Sequence, residues 1–95
     1  MAYGRCVIYS FNEDADQLIE KARGGILPIF KQQSGFIAYG VLVQGGELVS
    51  MSAWNSESDA KAADEAARQW VSENMDGKVV NSFVGDFAWL EFAQR

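Results

Sequence analysis

Between Tyr3 and Phe11 the side chains alternate. Tyr3, Arg5, Val7, Tyr9 and Phe11 fall on one face and Cys6, Ile8 and Ser10 on the other, the period of a strand with apolar groups on both sides. The period then changes. Asn12 stands where a helix N-cap belongs, and Glu13, Asp14 and Asp16 place negative charge where the helix dipole favours it. Ala15, Leu18, Ile19, Ala22 and Ile26 recur at helical spacing, with Gln17, Glu20, Lys21 and Arg23 facing outward. Gly24, Gly25 and Pro28 weaken this pattern, and proline has no amide hydrogen to give. A break or kink is expected there, with Ile29 and Phe30 in a short final turn.

Ser34-Gly35 ends that segment, and Phe36 to Val43 reads as a strand joined through Gly45-Gly46 to a second strand from Glu47 to Trp54. A two-residue turn at the glycines is the simplest connection, because glycine adopts positive φ without steric cost. That turn sets Gln44 opposite Glu47 and, counting back, Tyr39 opposite Ser52, Ala38 opposite Ala53 and Ile37 opposite Trp54. Neither face of this hairpin is polar. Phe36, Ala38, Gly40, Leu42, Val49, Met51 and Ala53 make one face apolar and small. Ile37, Tyr39, Val41, Val43, Leu48, Ser50, Ser52 and Trp54 make the other apolar with hydroxyls and an indole.

Ser56 followed by Asp59 is a helix-start signature. Ala60, Ala63, Ala67, Trp70, Val71 and Met75 supply a buried stripe, and Gly77 is the expected stop. An alanine stripe lets helix and sheet approach closely or leaves room for a ligand. Asp59, Asp64, Glu65 and Glu73, interleaved with Lys61 and Arg68, read as a solvated helix face. Val79 to Phe92 alternates again as a long final strand, with Gly85-Asp86 as a bulge or bend.

The order strand, helix, strand, strand, helix, strand predicts a single α+β domain over residues 1–95, a ferredoxin-like βαββαβ unit with both helices on one side of a four-stranded antiparallel sheet. Two helices cover only one face. The other is apolar too, beyond what a soluble monomer usually exposes, so a homodimer burying that face against a second copy is expected.

Composition narrows the function. A formal charge of −5 removes the electrostatic attraction for phosphate backbones and anionic membranes, so neither nucleic acid nor membrane is an expected partner. No apolar run nears the roughly 20 residues of a bilayer span, and no basic segment with an apolar core opens the chain. Cytoplasmic residence is the expectation. The lone Cys6 lies in an alternating apolar segment and reads as a buried thiol. There is no histidine, which removes Ser-His-Asp and Cys-His nucleophilic sites, histidine-based zinc sites and histidine-ligated haem. With no nucleotide or metal motif either, no cofactor and no metal are expected.

The stretch from Gly35 to Gly40, then Ser52-Ala53-Trp54-Asn55-Ser56-Glu57 and an alanine-rich helix, resembles the antibiotic-biosynthesis-monooxygenase-like domains of the dimeric α/β-barrel group. Ile26 to Phe30 resembles the family's approach to its glycine-phenylalanine turn. The resemblance implies two sheets facing each other across a dimer and a ligand cavity between sheet and helices. It also implies, for some members, oxidation of polycyclic aromatic or quinone-like substrates by molecular oxygen without metal or flavin. Other members degrade haem with an asparagine on the first strand and a tryptophan and histidine on the second helix. Here the first strand has no asparagine before Asn12, and Ala63 and Glu73 stand near the places of the tryptophan and histidine, which argues against haem degradation.

Several side chains can carry chemistry on such a frame. Trp54 can stack an aromatic ligand or serve as a packing anchor, with Ile37 as an apolar wall beside it. Tyr39 and Ser52 can hydrogen-bond a substrate oxygen or each other. Arg5 can stabilise an enolate or phenolate, or form an ion pair with Asp86 or Glu91. Trp54, Tyr39 and Arg5 are the catalytic candidates; Ser52, Ile37, Trp70 and Asn81 are the ligand-binding ones. Two functions follow. One is a cofactor-independent monooxygenase of a small aromatic or polyketide-like compound; the other is a non-catalytic, small-molecule-binding or stress-associated homodimer.

Overall fold

The computed structural model describes residues 2–93. Its elements are β1 (Tyr3–Phe11), α1 (Ala15–Lys31), β2 (Phe36–Gln44), β3 (Glu47–Trp54), α2 (Glu57–Asn74) and β4 (Gly77–Asp86). The strands form one antiparallel sheet in the order β2-β3-β1-β4, and both helices pack on the same face. That is the expected ferredoxin-like βαββαβ arrangement.

The hairpin register holds from Ala38↔Ala53 to Gln44↔Glu47. Gly45 takes φ 60°. Gly46 needs no left-handed conformation; its carbonyl instead accepts the Phe11 N–H at 2.9 Å, tying the turn to the end of β1. One pairing differs from expectation. Trp54 pairs with Phe36, and a bulge over Ile37 turns that side chain to solvent while Phe36 joins Trp54 at 5.5 Å between ring centroids. A larger aromatic contact and a shift of one residue at the open end of the hairpin favour each other.

The helix boundaries depart from expectation in ways the contacts explain. Asp14, not Asn12, caps α1 by accepting the Gln17 N–H at 3.0 Å. Asn12 is held back by its own N–H to the Asp76 carbonyl, and Glu13 accepts the Asp76 N–H at 2.8 Å, so the chain must clear the α2–β4 junction before it turns. No break occurs at Pro28, and α1 runs to Lys31. The missing amide deprives only the carbonyl of Gly24, an exposed residue that water can serve. Gly25 contributes differently: the Trp70 indole of α2 fills the space its Cβ would take, so the glycine allows the two helices to touch. Ser56 caps α2 as expected, accepting the Asp59 N–H at 3.2 Å. That helix ends at Asn74 with Met75 as its C-cap, and Gly77 opens β4 rather than stopping the helix. A Cβ on Gly77 would meet the Ser10 carbonyl of β1.

The final strand ends at Asp86, short of Phe92. Asp86 pairs with Tyr3, the first residue of β1. Phe87 gives one last N–H to the Ala2 carbonyl at 3.0 Å and lays its ring over Gly4 on the face away from the helices. The irregularity expected at Gly85-Asp86 sits instead where Tyr9 pairs with Val79 and Ile8 with Asn81, leaving Val80 as the extra residue.

The helix-facing side of the sheet holds two clusters. Trp54, Phe30, Ile26 and the buried alanines Ala60, Ala63 and Ala67 make one. Val7, Tyr9, Phe11, Leu18 and Leu48 make the other. The opposite side is a shallow bowl of about 520 Å³ with glycines and alanines such as Gly4, Ala38 and Ala53 in its floor and Phe83 and Phe92 at its rim. Phe83 is 74 % and Leu42 60 % exposed. Among the described residues, no helix is long and apolar enough to cross a membrane.

Candidate functional site

Strand parity puts Arg5, Val7 and Tyr9 of β1 on the helix side, beside Ser50 and Ser52 of β3 and Tyr39 of β2. Arg5 is 2 % exposed and spends its fork on three partners. Nε donates to Asp64 Oδ1 at 2.7 Å, Nη2 to the Tyr9 hydroxyl at 3.1 Å and Nη1 to Ser50 Oγ at 3.4 Å. Ser50 Oγ in turn donates to the Tyr39 hydroxyl at 3.4 Å. The other carboxylate oxygen of Asp64 accepts from Arg68 Nε at 2.7 Å. A buried cation is thus balanced by one carboxylate that it shares with a second, exposed arginine.

The ion-pair partner of Arg5 is Asp64, not Asp86 or Glu91. Positions 60, 63, 64 and 67 lie on one helical face, so Asp64 belongs to the alanine stripe and not to the solvated face. That spacing was readable in the sequence; what hid it was the charge. Tyr9 and Ser50, which share strand parity with Arg5, are the other polar residues of the cluster that the sequence reading passed over.

Two cavities open beside this cluster. A groove of about 310 Å³ lies between α1 and β2, lined by Ile19, Ala22, Arg23, Leu27, Tyr39 and Val41. A smaller inner cavity of about 30 Å³, between sheet and helices, is lined by Tyr9, Ser50 and Tyr39 on its polar side and by Ile26, Ala67 and Trp70 among the apolar ones. Ile19, Ala22, Tyr39 and Val41 belong to both. The alanine stripe has therefore brought helix and sheet together and left room for only about two water molecules.

The other residues singled out from the sequence are placed apart. Trp54 is fully buried, edge-on to Phe30 at 5.1 Å and to Phe36 at 5.5 Å, and lines neither the groove nor the inner cavity. Its indole N–H goes to Ser52 Oγ at 2.9 Å, so Ser52, though opposite Tyr39 in register, gives its oxygen to Trp54. Trp70 walls the inner cavity. Ile37 faces solvent, and Asn81 is exposed on the edge strand β4, its Oδ1 accepting the Ser82 N–H. Among the described residues, no three histidine, cysteine or acidic side chains cluster as metal ligands would.

Burial pushes the Tyr39 phenol above its ordinary range, partly offset by the hydrogen bond from Ser50 and the charge of Arg5, so at neutral pH it is a neutral hydrogen-bonding group. Burial also raises the Asp64 carboxyl, but the hydrogen bonds and charges of Arg5 and Arg68 outweigh it and the net shift is downward. A lowered folded-state value means that Asp64 adds stability above its unfolded value of about 3.9 and loses it as pH falls through the folded one. Urea midpoints should therefore drop on acidification below about pH 4, and Asp64→Asn should flatten that part of the profile; an unchanged profile in the variant would show that other carboxylates control it.

No protein-family model matches the chain, and no curated protein sequence matches it. Solved structures do. The fold is similar to that of a mutant of SnoaB, a cofactor-independent oxygenase from Streptomyces nogalater, with 11 % identity, a TM-score of 0.70 and coverage of 94 % of this chain and 95 % of that one. It is also similar to a "putative antibiotic biosynthesis monooxygenase" from Nitrosomonas europaea, with 18 % identity, a TM-score of 0.69 and coverage of 92 % and 91 %. A dimeric ferredoxin-like protein from an uncultured marine organism matches at 12 % identity and a TM-score of 0.69, over 99 % of this chain and 100 % of that one. The chain has the antibiotic-biosynthesis-monooxygenase-like fold.

Proposed function

We propose that this protein is a homodimer that binds a small aromatic or polyketide-like compound in the groove between α1 and β2 and oxidises it with molecular oxygen, without a cofactor. Tyr39 carries this reading. It lines the groove and the inner cavity at once, and its hydroxyl is joined through Ser50 to the buried Arg5. A groove of about 310 Å³ is at the small end of ligand sites and takes a flat ring system against Ile19, Ala22 and Leu27. An electron-rich phenol or enol, once ionised, can reduce oxygen itself. A ring C–H becomes C=O, the second oxygen atom leaves as water, and the substrate supplies all the electrons. Arg5 and Tyr39 would stabilise the anionic oxygen from which those electrons flow. The similarity to SnoaB, a cofactor-independent oxygenase, supports the same reaction class.

The sheet face opposite the helices supports the dimer. Leu42, Met51 and Phe83 are exposed there as a patch that a second copy would cover, and one structure of this fold is described as dimeric. Sedimentation equilibrium at micromolar concentration should return twice the chain mass, and a stable folded monomer would overturn this part.

A second reading has its own support. The inner cavity is only about 30 Å³, and no imidazole or carboxylate lines it or the groove among the described residues, as suits a non-catalytic binder or stress-associated dimer. Oxygen uptake and product mass, measured with a panel of polycyclic phenols, separate the two. Uptake that matches product formation supports the oxygenase, while saturable binding without uptake selects the binder. In either case Tyr39→Phe should weaken binding about tenfold, the loss of one hydrogen bond to a charged oxygen, at an unchanged melting temperature.

A further inference from the structure

On the footing of the groove proposed above as the ligand site, we infer that the inner cavity is an oxygen-anion subsite. There Tyr9 and Tyr39, both tied to the guanidinium of Arg5, select an acidic phenol or enol in its ionised form.

Size divides the site into two parts. The groove of about 310 Å³ accepts rings, whereas the inner cavity of about 30 Å³ has room for only about two water-sized groups and so admits an oxygen substituent but no ring. The polar groups around that small space are Tyr9, Tyr39 and Ser50.

The direction of the hydrogen bonds decides what oxygen they suit. Arg5 has no acceptor, so every bond it makes runs outward: from Nη2 to the Tyr9 hydroxyl, and from Nη1 to Ser50 and on from Ser50 to the Tyr39 hydroxyl. Each tyrosine oxygen is already accepting, which leaves its own O–H to donate. Two phenolic donors polarised by one buried cation are matched to an oxygen with lone pairs and no proton. The 3.4 Å contacts on either side of Ser50 are long enough to shorten or open as a ligand oxygen arrives.

The charged groups around the site agree. Arg5 stands on β1 behind Tyr9 and Ser50, bonded to both, and Arg23 stands at the lip of the groove from α1. On α2, the Asp64 oxygens are occupied by Arg5 and Arg68, so these three groups sum to one positive charge. Tyr9 and Tyr39 are the remaining titratable groups that line the site, and among the described residues no acid or imidazole does. In a chain of net charge −5 this is a locally cationic pocket. It also holds no general base. The ligand's O–H bond must therefore break with its proton going to water, and the protein acts by holding the phenolate that remains.

Two probes of similar flatness test this: 4-nitrophenol, whose absorption reports its own ionisation, and 2-methoxynaphthalene, which has no proton to lose. Wild-type protein should bind the nitrophenolate at least about tenfold more tightly than the neutral phenol, the low end of the effect of a nearby opposite charge. Ser50→Ala, which cuts Tyr39 from Arg5, and Tyr9→Phe should each reduce that preference about fivefold while binding 2-methoxynaphthalene within about twofold of wild type, one hydrogen bond being removed in each case. A merely structural role would weaken both probes together. Nitrophenol bound without preference for the anion, or 2-methoxynaphthalene bound and nitrophenol refused, overturns the anion subsite and leaves the groove standing. Failure of both probes to bind folded protein overturns the groove as well.

Discussion

Trp54→Ala should lower the free energy of unfolding by about 3–5 kcal/mol, the range for truncating a large buried aromatic. Trp54 has no exposed surface and is where three elements meet. Phe30 of α1 lies edge-on to it at 5.1 Å and 81°, Phe36 of β2 at 5.5 Å and 69°, and its N–H is taken by Ser52 of its own strand at 2.9 Å. Truncation leaves a void between rings that cannot close, because the alanines of α2 already sit against the sheet. Trp54→Phe keeps most of the ring contact but leaves Ser52 without its donor, so its loss should be less than half as large. Urea titrations at constant slope check both variants. A change below about 1 kcal/mol, less than the ordinary cost of one core methylene group or two, together with selective loss of aromatic binding, would move Trp54 from the core to the ligand site.

Arg5→Met should cost about 3 kcal/mol, the lower end of the range for removing one member of a buried ion pair. The lower end applies because Asp64 keeps 20 % of its side-chain surface exposed and retains Arg68. The cost is chiefly the desolvated carboxylate left behind, together with Tyr9 and Ser50 losing a donor. Asp64→Asn in the same chain should recover part of it, with a coupling of about 1–3 kcal/mol between the two positions. Arg5→Lys should rescue poorly, since an ammonium on a flexible stem cannot present the planar fork that reaches Asp64, Tyr9 and Ser50 together. Additive losses in the double variant would show that the pair contributes no mutual stabilisation.

How much of this was legible in the sequence depends on the range of the interaction. Ser56 capping through Asp59, the helical run of alanines and the Gly45-Gly46 turn are local, and they appear where the sequence places them. The pairing of Tyr39 with Ser52 followed from the turn alone, because a two-residue connection leaves no freedom in register until a bulge intervenes. The bulge at Ile37 was not legible. It depends on Phe36 reaching Trp54, a gain that only the packed core offers. Nor was the end of β4, since the alternation continues to Phe92 but the first strand offers its last pairing residue at Tyr3.

The sequence by itself determined the order of elements, the parity of β1, of β3 and of β2 from Ala38 onward, and the absence of histidine chemistry, since period and composition need no partner to be read. Tertiary structure alone decided which of two apolar sheet faces the helices would cover. It chose the face carrying Arg5, Tyr9, Ser50 and Tyr39, where Asp64 of α2 can meet the guanidinium, and left Gly4, Ala38 and Ala53 in the floor of the open bowl. A buried arginine requires its counter-charge within hydrogen-bond reach, and Arg5 and Asp64, fifty-nine residues apart in the chain, meet only when α2 lies across β1.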